Sequence, residues 1–267
     1  MTDALRRPLI AGNWKMHLSL AESAALAKAV KEGVAGAAAA PTSAPASPEV
    51  ALFVPFTALT VVAQVLKDCP VKLGAQDVYW EAQGAFTGEV SAPQLVDAGC
   101  QMTLIGHSER RRLFGDTDEA VKKKLKAALA AGLTPVVCIG ETLDERQAQR
   151  TFRVLETQMT ALTGFSPADL SRLVIAYEPV WAIGTGQTAT PAQAQDAHLF
   201  IRKTAAKLYG EGFASGLRIL YGGSVKAENV DSLMAQPDLD GALVGGDSLK
   251  AASFIRIANF KAAAEAK

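Results

Sequence analysis

Apolar residues are distributed along the chain in two alternating kinds of segment. Eight short runs are nearly continuous in apolar and β-branched residues: PLIAGNWK from Pro8, VALFVP from Val50, VKLGAQ from Val71, MTLIGHS from Met102, TPVVCIG from Thr134, RLVIAYEP from Arg172, LRILYGGS from Leu217 and GALVGG from Gly241. A strand with one wet face alternates apolar and polar positions, so runs without that alternation predict strands buried on both faces, as in a parallel sheet. Between the runs lie helix-length stretches whose apolar positions recur every three or four residues.

Helix punctuation supports this division. Ser19-Leu20-Ala21-Glu22 has the spacing of a capping box, and Gly33 is a candidate stop for the helix it opens. Val121, Leu125, Ala128 and Leu129 form one stripe that ends before Gly132. Thr190-Pro191 has the order of an N-cap followed by a first-turn proline; Ala194, Ala197, Ile201, Ala205 and Leu208 then share one face before Gly210. Eight strands alternating with about eight helices predict a single-domain α/β fold, a closed (β/α)8 barrel spanning 1–267. A doubly wound open sheet is the competing architecture, because periodicity does not show closure. One segment breaks the rhythm. GVAGAAAAPTSAPASPE, from Gly33 to Glu49, is rich in Ala, Pro and Ser, and residues 34–49 are expected to form a flexible connector on the face away from the site.

Composition narrows the function classes. Lys plus Arg and Asp plus Glu each number 27, so net charge recruits neither nucleic acid nor an anionic membrane, and any anionic ligand needs a local site. Cys69, Cys100 and Cys138 form no CxxC pair, which points to neither a disulfide framework nor a zinc site and suits a reducing cytoplasm. No apolar stretch approaches the roughly 20 residues of a membrane span, and the N-terminal run is too short for a signal peptide.

In a parallel barrel, polar residues just past the strand ends converge on one mouth. Here those ends deliver Asn13 and Lys15, then His107, Ser108 and Glu109, then Glu178, and finally Gly222-Gly223-Ser224 and Gly245-Gly246. Glycine-rich turns after the seventh and eighth strands suit a phosphate, because backbone N–H groups can approach an anion closely there.

NWK at Asn13, AQD at Ala75, GAFTGE at Gly84, GHSERR at Gly106, AYEPVWAIGTG at Ala176, YGGSV at Tyr221 and VGG at Val244 together resemble the triosephosphate isomerase family, from about Pro8 to the last helix. The resemblance implies the TIM-barrel fold and interconversion of dihydroxyacetone phosphate and glyceraldehyde 3-phosphate, without metal or organic cofactor. It implies that Glu178 is the general base, and that His107 and Asn13 donate to the enediolate oxygens. A neutral imidazole in that role comes with the family and not from these residues. Lys15 would add positive charge, and Glu109 would orient the network. Gly184, Ser224, Gly245 and Gly246 would hold the phosphate through their N–H groups. Pro179 to Gly186 would close as a lid, keeping water from an intermediate that can lose its phosphate. The resemblance also implies a homodimer, with GAFTGE reaching the partner.

Plainer readings apply elsewhere. His17 and His198 are expected to be structural, Cys138 a buried small hydrophobe, and Arg110–Arg112 and Lys122–Lys124 solvated helix faces. Gly184 to Ala189 matches GxGxxA but opens no helix directly from a strand, so a dinucleotide site is rejected. Asp247 departs from the family's usual alanine and is expected to point away from the ligand, since a carboxylate beside a dianion weakens its binding. The alternatives are another phosphate-binding barrel enzyme, for instance of aromatic amino-acid synthesis, or a catalytically dead scaffold. The AYEPVWAIGTG and GHSERR motifs and the presence of Asn13, Lys15, His107 and Glu178 argue against both.

Overall fold

The computed structural model describes residues 6–35, 47–183 and 188–261. Eight parallel strands close into a barrel: β1 (Leu9–Asn13), β2 (Glu49–Val54), β3 (Lys72–Ala75), β4 (Met102–Ile105), β5 (Thr134–Ile139), β6 (Val174–Tyr177), β7 (Arg218–Tyr221) and β8 (Gly241–Val244). Closure is carried by β8 against β1, with Leu9 opposite Gly241 and Gly12 opposite Val244. Seven of the eight runs contain their strand whole, β2 begins one residue before its run at Glu49, and the open-sheet alternative is excluded.

Alternation along the strands, hidden by their uniform apolarity, appears once the barrel closes. Leu9, Ala11, Phe53, Met102, Leu104, Val136, Cys138, Val174, Ala176, Leu220 and Leu243 fill the barrel interior, while their neighbours Ile10, Val137, Ile175 and Ile219 face the helices. Continuing the inward phase past each strand end gives Asn13 after Ala11, Glu178 after Ala176, Gly222 after Leu220 and Gly245 after Leu243. The period of two along a strand therefore aims these residues into the mouth.

The helices cover the outside. They are α1 (Leu20–Ala35), α2 (Leu59–Val65), α3 (Ala92–Asp97), α4 (Ser108–Phe114), α5 (Asp118–Ala130), α6 (Leu143–Gln147), α7 (Thr151–Thr160), α8 (Pro191–Tyr209), α9 (Glu211–Gly216), α10 (Val230–Met234) and α11 (Ala251–Ala258). Ser19 and Glu22 form the expected capping box, and so do Thr190 and Gln193. α1 runs past Gly33 to Ala35, so Gly33 is not its stop. A β-carbon at Gly33 would lie 2.3 Å from Ile255 Cδ1, which identifies close packing of α1 on α11 as the reason for glycine. The 34–49 connector reading is trimmed by α1 at one end and by β2, which starts at Glu49, at the other; residues 36–46 lie outside the described residues.

The lysine run on α5 also differs from its sequence reading. Lys124 is 2% exposed, with its ammonium 2.8 Å from Asp77 Oδ1 and 2.7 Å from Asp116 Oδ2. Arg110 joins the cluster, 2.8 Å from Asp77. Only tertiary structure brings these four charges together, whereas Lys123 is solvated as expected. Among the described residues, no helix is long and apolar enough to cross a membrane.

Candidate active site

The strand ends surround a cavity of about 510 Å³ lined by Asn13, Lys15, His107, Glu178, Ser224, Gly245 and Gly246. Seven of the nine residues singled out from the sequence thus line one cavity. Glu109 sits one step behind it. Gly184 and the end of the lid segment, 184–186, lie outside the described residues.

Lys15 is gripped at three points. Its N–H donates to Asn13 Oδ1 at 3.0 Å, its carbonyl accepts from Gln76 Nε2 at 2.8 Å, and its ammonium donates to Glu109 Oε1 at 2.5 Å. Its φ of 51° lies in the left-handed region, uncommon for a residue with a β-carbon and held here by these bonds. Gln76 follows the last residue of β3 and also donates to Phe53 O at 3.1 Å, tying the ends of β2 and β3 to the lysine. It belongs to the AQD motif but received no role from the sequence, because a side chain that holds a backbone carbonyl leaves no spacing signal.

His107 caps the start of α4, and Glu178 follows β6. Their side chains meet, Nε2 to Oε1, at 2.9 Å, and the other carboxylate oxygen accepts from Ser108 N–H at 2.9 Å. Both groups are almost fully buried. Burial is the largest influence on Glu178 and would raise its pKa. The charge and hydrogen bond of His107, the Ser108 N–H and the charge of Lys15 outweigh it, so the carboxyl is held below its ordinary value. On His107, burial disfavours the charged ring, while the adjacent Glu178 and Glu109 carboxylates win and raise its proton affinity. Against that, the Glu109 N–H points at His107 Nδ1 at 3.2 Å, an arrangement that makes Nδ1 an acceptor and leaves the proton on Nε2. The geometry therefore assigns a neutral ring donating to Glu178, and Glu178 is the larger of the two carboxylate influences that raise its proton affinity.

Close packing fixes Glu178. A β-carbon at Gly140 would lie 1.7 Å from Glu178 O, and one at Gly222 would lie 2.8 Å from Glu178 Cγ. Cys138 sits within the barrel below, with burial first among the causes that push its thiol well above the ordinary range, which suits packing and not nucleophilic attack. The start of the Pro179–Gly186 segment is moored by Glu141. This buried carboxylate accepts from Tyr177 Oη at 3.1 Å and from Trp181 Nε1 at 2.9 Å. Glu141 was not singled out from the sequence, since its partners follow it by 36 and 40 positions.

Asp247 lines the same cavity, with its carboxylate 3.6 Å from the ammonium of Lys250, another wall residue. Of the other two histidines, His198 is buried and His17 is exposed. Among the described residues, no three His, Cys, Asp or Glu side chains gather as a metal site.

A carboxylate, an imidazole and an ammonium converging beside glycine-rich turns define a barrel enzyme that handles a small anionic substrate by proton transfer. The family profile for triosephosphate isomerase matches residues 8–261. A triosephosphate isomerase of Pelobacter propionicus is 54% identical over 258 residues, 96% of this chain and all of that protein. Those of Geobacter metallireducens and Chloroflexus aurantiacus are 53% and 52% identical over their full lengths, covering 97% and 96% of this chain. The chain belongs to the triosephosphate isomerase family and is an isomerase.

Proposed function

We propose that this protein interconverts dihydroxyacetone phosphate and D-glyceraldehyde 3-phosphate, and that the residues lining the cavity carry the reaction. The observation behind this reading is the pairing of a buried, ionised Glu178 with the Nε2–H of His107 at 2.9 Å, at the end of a cavity bounded by Lys15 and two glycine turns. Glu178 takes the proton from one carbon of the bound triose and returns it to the adjacent carbon. As Glu178 takes the substrate's proton it loses its charge, which removes the larger influence raising His107's proton affinity and leaves Nε2–H as a neutral donor for the developing enediolate oxygen. Asn13 donates to the same oxygens. Lys15, held straight by Glu109, adds positive charge between the enediolate and the phosphate. Ser224, Gly245 and Gly246, with Gly184, present N–H groups to the phosphate, and Pro179–Gly186 closes over it.

The chain is read as one catalytic unit acting without cofactor in the cytoplasm, and the name its relatives carry supports a place in glycolysis and gluconeogenesis. Met16 (93% exposed) follows β1, and Phe86 (40% exposed) lies in GAFTGE after β3; these apolar projections support a homodimer. Light scattering that gives a 28.0 kDa particle would contradict the dimer. Purified protein mixed with glyceraldehyde 3-phosphate, with no added metal or cofactor, is expected to produce dihydroxyacetone phosphate by proton NMR; a folded protein that gives none would overturn the activity.

A further inference from the structure

We propose that Asp247 is a specificity-determining residue: a cavity-lining carboxylate that, opposed by Lys250, sets how tightly the cavity holds an anionic group. The inference rests on reading the Ser224, Gly245 and Gly246 end of the cavity as the phosphate cup. Asp247 directly follows that glycine pair and lines the same wall as Lys15, Lys226 and Lys250.

The charges there are not equivalent. The Asp247 side chain is 20% exposed and that of Lys250 is 75% exposed, with 3.6 Å between them. A pair this long, with one partner in solvent, is weak, so Lys250 screens the carboxylate only in part. Lys15 is already committed to Glu109 at 2.5 Å. An arriving phosphate therefore meets a wall on which lysines attract and one incompletely cancelled carboxylate repels. The other cavity carboxylate, Glu178, faces His107 and Ser108. The repulsion scales with ligand charge, so Asp247 disfavours dianions more than monoanions and favours their release.

The test is competitive inhibition by inorganic sulfate against glyceraldehyde 3-phosphate, measured for the wild type, Asp247→Asn, Lys250→Met and the double variant at low and high sodium chloride. Removing one partly screened charge from a solvated cavity is expected to lower the inhibition constant about three- to tenfold in Asp247→Asn. Lys250→Met raises the constant, and the double variant falls between. At about 0.5 M salt the Asp247→Asn advantage shrinks below about twofold, because mobile ions screen the charge. An unchanged or higher constant in Asp247→Asn overturns the proposal, and so does a gain that ignores salt, which indicates altered shape. If sulfate fails to compete even with the wild type, the cup reading itself falls; if it competes but the variant matches the wild type, only the Asp247 inference falls.

Discussion

Gly222→Ala tests how closely the barrel fixes Glu178, the proposed base. Gly222 follows β7 and donates its N–H to Tyr177 O at 2.7 Å, which lays it alongside the end of β6. An added β-carbon would sit 2.8 Å from Glu178 Cγ and 3.1 Å from Tyr177 O. Regaining an ordinary contact of 3.4 Å requires Cγ to retreat by about 0.6 Å. Glu178 has little room to do so, since its two oxygens are held at 2.9 Å by His107 and by Ser108 N–H. One of those bonds must lengthen, or the carboxylate must turn. Misplacement approaching 1 Å costs a reaction about 100-fold, so kcat/KM for glyceraldehyde 3-phosphate is expected to fall by about that factor. Overpacking a filled site costs about 1–3 kcal/mol, a loss that leaves the barrel folded at 25 °C. Gly212→Ala is the control: nothing lies within 4 Å of its added β-carbon, and it sits in α9, where alanine gains about 0.5–1 kcal/mol. Coupled-assay kinetics with thermal melts read both effects. Gly222→Ala activity within about fivefold of the wild type would refute the claim that this contact sets the position of Glu178.

Two further perturbations address stability. Lys124→Met removes the buried cation shared by Asp77 and Asp116, leaving both carboxylates to Arg110, and is expected to cost about 3–5 kcal/mol in urea titration; a loss under about 1 kcal/mol would contradict the cluster's role. His198 is buried with its Nδ1 3.2 Å from Asp238 O, and burial, the first cause, lowers its pKa from 6.5 to about 3. The unfolded chain therefore binds a proton in the window between pH 6.5 and about 3 that the folded chain refuses, so stability falls as pH falls, by about 2 kcal/mol between pH 8 and 5. His198→Asn should flatten that part of the profile, and an unchanged slope would remove His198 as its source.

What could be read from the sequence divides along a physical line. Strand runs and the polar residues that end them are local: Ala11 to Asn13 and Ala176 to Glu178 keep one alternation, so the inward phase of the strand carries to the site. The capping boxes at Ser19 and Thr190 are equally local, each closing within three residues. Lys124 was misread because its partners, Asp77 and Asp116, lie 47 and 8 positions away and carry no periodic signal. Gly33 looked like a helix stop because the helix-packing reason for it, Ile255, is at the other end of the chain. Gln76 and Glu141 act by holding the Lys15 carbonyl and Trp181, contacts that exist only once the barrel closes. Asp247 stands out as a family departure, but its pairing with Lys250 at 3.6 Å is seen only in the fold.

The central claim is that Glu178 moves the substrate's proton. The direct measurement is deuterium incorporation at the reacting carbon in D2O, followed by proton NMR for the wild type and for Glu178→Gln, which keeps the shape of the side chain. The account predicts carbon deuteration by the wild type and, in the variant, loss of both exchange and isomerisation by at least about 100-fold. Glu178→Gln protein that still exchanged and isomerised within tenfold of the wild type would contradict it.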